Sequence, residues 1–78
     1  MKYTGIIKGP DASFAVETFD FEAISRNKAM DRVRRELHER SVPGASAELY
    51  QIIRDTDSDL VCKWNVDDIF VIKEQIIQ

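Results

Sequence analysis

Only one stretch of this 78-residue chain, Ser25–Arg40, repeats its apolar side chains at helical spacing. Ala29, Met30, Val33 and Leu37 stand at i, i+1, i+4 and i+8, the stripe that an amphipathic helix buries against a neighbour. Ser25 suits the N-cap, because its hydroxyl can accept a bond from a free N–H of the first turn. Pro43-Gly44, just after Arg40-Ser41, supplies the stop. A lone helix has to find its packing surface elsewhere in the chain, and everything around it is patterned as strands.

Tyr3–Lys8 is rich in β-branched residues and runs into Gly9-Pro10-Asp11, strong turn chemistry. Ser13–Ile24 reads as the hairpin partner, with a change of phase inside it. Phe14 and Val16 hold even positions while Phe19, Phe21 and Ala23 hold odd ones, so strict pleating sends the two groups to opposite faces. A β-bulge near Glu17-Thr18, the reading taken, would return all five to the core side, and two short strands with a kink would read the same. After the helix, Glu48–Arg54 reads as a third strand and Leu60–Trp64 as a fourth, joined through Asp55-Thr56-Asp57-Ser58-Asp59 as an antiparallel hairpin. Residues 66–77 fit two descriptions. Asn65 could cap a C-terminal helix, yet Ile69-Phe70-Val71-Ile72 is apolar at every position, which suits a strand. The strand is the reading taken. The expected fold is α+β: one domain over residues 1–78, a single helix on a 4–5-stranded antiparallel sheet in the order β-β-α-β-β-(β).

A core this small gains from a partner, because a chain of this length buries only about 60–65% of the surface its unfolded form exposes. The lone Cys62 excludes an internal disulfide and suits a reducing cytoplasm, as does the lack of a signal-peptide pattern at Met1-Lys2-Tyr3-Thr4-Gly5. The longest apolar run, Ile69–Ile72, is far short of a membrane span.

Charge is unevenly spread. The helical stretch holds six of the eleven basic residues against Asp31, Glu36 and Glu39, 6 − 3 = +3, while the remainder carries 5 − 11 = −6. On a helical wheel Lys28, Arg32, Arg35 and Glu39 lie opposite the apolar stripe, so the three cations form a candidate contact face for phosphates or for an acidic protein surface. The structural alternative is a solvated face laced by Arg32–Glu36 and Arg35–Glu39. A sequence pI near 5.0 and the scarcity of basic residues elsewhere disfavour nucleic acid.

Asp55, Asp57 and Asp59 alternate like the first ligands of a calcium loop, but Leu60 and Val66 hold the positions where that loop needs glycine and a bidentate glutamate. They are read as turn residues or, with Asp67 and Asp68, as an acidic rim able to imitate phosphates on a basic protein groove. Catalysis and cofactors find little footing. His38 has no nucleophile beside it, Cys62 sits in an apolar strand pattern, and there is no glycine-rich phosphate loop. One His and one Cys do not make a zinc site. Trp64 is expected in the core. If Ile69–Ile77 is a strand apolar on both faces, its exposed edge invites a second copy and a homodimer.

The run Phe19-Asp20-Phe21-Glu22-Ala23-Ile24-Ser25, followed by Asn27-Lys28-Ala29-Met30, resembles the strand–helix junction of small phage and mobile-element accessory proteins, in which one helix packs on a short antiparallel sheet. That resemblance implies a host-directed accessory protein, such as an inhibitor of a bacterial defence complex, and carries over no site residue. The expected function is a non-enzymatic module that binds a protein through a charged face: Lys28, Arg32 and Arg35, or Asp55, Asp57 and Asp59. Two alternatives stand beside it, a nucleic-acid-binding regulator using the helix and a small-ligand binder between protomers.

Overall fold

The computed structural model describes residues 1–11, 13–40 and 42–77. Its elements are β1 (Lys2–Lys8), β2 (Glu17–Glu22), α1 (Arg26–Glu39), β3 (Ser46–Arg54), β4 (Asp57–Val66) and β5 (Ile72–Ile76). All five strands form one sheet of order β2-β1-β3-β4-β5, antiparallel at every pairing. The α+β expectation holds, fifth strand included.

Because β2 and β3 both run antiparallel to β1 on either side of it, they run parallel to each other, and α1 is the crossover that joins them. Ser25 caps the helix, its Oγ accepting from the Lys28 N–H at 3.2 Å. The stripe Ala29, Met30, Val33 and Leu37 is buried against Tyr3, Ile7, Ala47, Leu49, Cys62 and Trp64. Trp64 is 1% exposed and lies in the core, as expected. Tyr3 is also fully buried, its hydroxyl donating to Met1 Sδ at 3.8 Å. Among the described residues no helix covers the opposite sheet face. There Lys8 and Tyr50 both reach Glu48, at 3.3 and 3.2 Å, and Thr4 donates to Asp20 at 2.8 Å.

The bulge expected at Glu17-Thr18 is not formed. The β1–β2 register is unbroken from Lys2↔Glu22 to Ile7↔Glu17, with Phe19 and Phe21 packed against the core. Phe14 and Val16 precede the strand and are exposed. Their parity carries no packing information, because Asp11 folds this segment into a turn by accepting the Ser13 N–H on Oδ1 and the Phe14 N–H on its carbonyl. The irregularities fall in the β3–β4 hairpin instead, between Leu49 and Tyr50 and between Ile52 and Arg54. The first leaves Val61 as an extra residue, and both Val61 and Cys62 are fully buried.

Other boundaries also differ from expectation: β3 begins at Ser46 rather than Glu48, and β4 runs past Trp64 to Val66. Asp57, Ser58 and Asp59 belong to β4, so the hairpin turns on Asp55-Thr56 alone. The C-terminal strand is shorter than the apolar run: Val66 ends β4, residues 67–71 turn, and only Ile72–Ile76 pair with β4. Asp67 causes the turn. Its Oδ1 accepts the N–H groups of Ile69 and Val71, both at 3.0 Å, its carbonyl accepts from Phe70, and its N–H donates to Val71. Apolar residues meant by pattern for a ladder are thereby held outside it.

Candidate interaction surfaces

The basic helix spends most of its charge inside the molecule. Arg34 makes a forked pair with Glu74 of β5, Nε to Oε1 at 2.6 Å and Nη2 to Oε2 at 2.9 Å, and also reaches Asp31 at 2.7 Å. The buried Trp64 donates its indole N–H to the same Glu74 at 2.6 Å. On the other flank Arg40 pairs with Glu17 of β2 at 2.6 Å and with Glu36. Arg26 donates from Nε and Nη2 to Gln51 of β3 at 3.2 and 3.1 Å. These arginines fasten the helix to both outer strands and to the sheet centre.

Of the predicted contact face, Arg32 is engaged. It pairs with Glu36 at 3.3 Å and lies over the rings of Phe19 and Phe21, 5.3 and 5.2 Å from their centroids. Phe21 in turn stacks on Phe19 and Tyr3. Lys28 and Arg35 remain exposed, and the expected Arg35–Glu39 pair is not among the ion pairs of the described residues. Arg35 lies at an open cleft of about 660 Å³ between the helix and β5, with His38, Trp64 and Ile72 among its other lining residues.

Asp55, Asp57 and Asp59 are exposed at the β3–β4 tip, where Asp57 pairs with Arg54 at 3.1 Å. No group of three possible metal ligands occurs among the described residues. Asp67 and Asp68 follow the far end of β4, about 30 Å away at the usual rise per strand residue. The five-carboxylate rim is therefore divided between the two ends of the sheet.

Cys62 is buried, and burial pushes its thiol above the ordinary value, with the charge of Glu74 adding to the shift. A neutral, enclosed thiol is a packing residue.

The C-terminal apolar run stands out in the sequence, but the Asp67 turn that presents part of it does not. Five of the exposed large apolar side chains, Ile69, Phe70, Val71, Ile76 and Ile77, fall within nine residues of the turn and β5. Phe70 combines 60% exposure with φ at 65°, in the left-handed region that disfavours a bulky side chain. Its signal was present in Asp67-Asp68-Ile69-Phe70, where an aspartate able to bond forward breaks a strand pattern. Among the described residues no helix is long and apolar enough to cross a membrane.

No family model matches the chain. No curated protein and no solved structure matches it either.

Proposed function

We propose that this protein is a non-enzymatic protein-binding module whose anchor is the turn Asp67–Val71. The carrying observation is Phe70, an exposed aromatic kept in a costly backbone conformation by four hydrogen bonds that converge on Asp67. Backbone strain of this kind collects where a side chain has to be presented in one orientation. Aromatic groups are enriched at protein interfaces for the same reason, offering large area at low entropic cost. Ile69, 75% exposed, widens the apolar anchor.

The charged groups have a secondary part in this reading. Lys28 and Arg35 are the helix cations left to steer an acidic partner, and the Asp55, Asp57, Asp59 tip does the same for a basic one. The likeness to phage accessory proteins supports a host complex as the partner, and the single buried thiol suits a reducing cytoplasm. The alternative nucleic-acid regulator has less behind it, since Arg26, Arg32, Arg34 and Arg40 are all bonded within the chain.

A photo-crosslinking residue placed at position 70 in the full chain, expressed in the native host, tests the reading. One dominant protein adduct at position 70, with less at positions 35 and 57, is expected. Adducts only at 35 or 57 return the binding site to a charged face; absence of adducts at all three sinks the proposal.

A further inference from the structure

The two edges of the sheet are finished differently. Ala23 N–H donates to the Met1 carbonyl, and the Met1 amino group donates back, so the β1–β2 pairs that exchange bonds are the odd ones through Tyr3↔Phe21. The backbone groups of Thr18, Asp20 and Glu22 therefore point outward from β2, and all three side chains are polar and exposed. Charged residues on an edge discourage pairing. At the other edge, Asp67 N–H donates to Val71 and Ile77 N–H donates to Val61, bracketing β5 in the same alternation. The outward groups there belong to Ile72, Glu74 and Ile76. Two of these three are apolar and the charge of Glu74 is paired with Arg34, so the backbone edge is open although Lys73 and Gln75 stand between them.

Its sequence is also nearly self-complementary. Val71-Ile72-Lys73-Glu74-Gln75-Ile76-Ile77 reads almost the same in both directions about Glu74. The geometry points to β5 pairing with β5 of a second copy, antiparallel about a twofold axis at Glu74, so that two five-stranded sheets become one. In this register Ile72 faces Ile76 of the second copy, Val71 faces Ile77, and Lys73 faces Gln75. An isologous contact requires this match of a surface with itself. The outward residues form three pairs that exchange two bonds each, about six backbone hydrogen bonds in all. Facing Glu74 carboxylates would repel, but each is already held by its own Arg34 and Trp64. Both helices lie on the same face of the joined sheet, and the polar β2 edges stop the assembly at two. This inference is independent of the Phe70 anchor, which lies beyond the paired strand.

Sedimentation of the full chain across a micromolar range tests it, and the expected species is about 18 kDa, twice the 9.0 kDa chain. Ile76→Lys, at a side chain 58% exposed, is expected to keep the circular dichroism melt of the monomer and raise the dimer dissociation constant by roughly tenfold or more. Register is read by mixing Lys73→Cys and Gln75→Cys chains, which place Cβ atoms about 5 Å apart. The mixture is expected to form a disulfide-linked dimer that neither variant forms alone. Hydrogen exchange at Ile72, Glu74 and Ile76 should slow with concentration, while Lys73 and Gln75 stay unchanged. A 9 kDa species throughout, a dimer indifferent to Ile76→Lys, or cross-linking by either cysteine variant alone would overturn the pairing.

Discussion

At Glu74 one carboxylate serves three elements, accepting from Arg34 of the helix and from Trp64 of β4 while belonging to β5. Glu74→Ala leaves a buried indole N–H unsatisfied, and a loss of about 1–3 kcal/mol is expected as a lower denaturation midpoint at unchanged m-value. The same group sets an acid limit. Hydrogen bonding from Arg34, opposed by burial and aided by Trp64, holds the Glu74 carboxyl below its ordinary value of 4.5. Its folded pKa lies under its unfolded one, so its contribution is complete above the ordinary value and is lost as pH falls through the depressed value. Glu74→Gln should therefore flatten the acid limb of a stability–pH curve, leaving the share from Glu36, which Arg40 lowers in the same way. Gly5 lies under the Phe19 ring, where an added Cβ would meet Cζ at 2.5 Å; Gly5→Ala should cost about 1–3 kcal/mol by the same denaturation measurement. Phe70 runs the other way. Phe70→Gly relieves the left-handed backbone and is expected to raise stability by about 1 kcal/mol in thermal melts while abolishing partner capture. A destabilised Phe70→Gly protein would remove the argument for strain.

Helix α1 was legible in full because cap, stripe and stop agree: Ser25, then Ala29, Met30, Val33 and Leu37, then Pro43-Gly44. Strand β1 was legible from its β-branched run, and β3 from Glu48 onward, two residues inside its start at Ser46. The second and fifth strands were blurred by neighbouring apolar residues outside the ladder, Phe14 and Val16 in one case, Ile69 and Phe70 in the other. Hydrophobic pattern reports the wish to be buried, and only the hydrogen bonds of Asp11 and Asp67 reveal which residues are denied it. The arginines act at this scale as straps. Arg40→Ala should release the Glu17 end of β2, seen as faster amide exchange there, with little change in β4. Equal protection in the variant would mean that the surface pair contributes nothing, as many exposed pairs do.

For the whole molecule, the +3 stretch and the −6 remainder look on paper like two halves awaiting partners, and in the fold two ion pairs join them while three more stay within the stretch. Arg34–Glu74 and Arg40–Glu17 join helix and outer strands across the chain. Titration of labelled DNA and RNA at low salt should accordingly give no saturable complex, and a steep salt-dependent affinity would restore the nucleic-acid reading. The sequence by itself determined the class of fold, the burial of the helix stripe, and the places of Trp64 and Cys62. Each of these follows from local spacing, which a linear pattern records. The tertiary structure decided which charges stay available, that Lys28 and Arg35 do while Arg32 does not, and that the acidic groups stand at opposite ends. It also decided that β5 is the outer strand of the sheet beside a strained Phe70. Those outcomes depend on strand order and on pairs up to forty residues apart, Arg34 with Glu74, which a helical wheel cannot bring together.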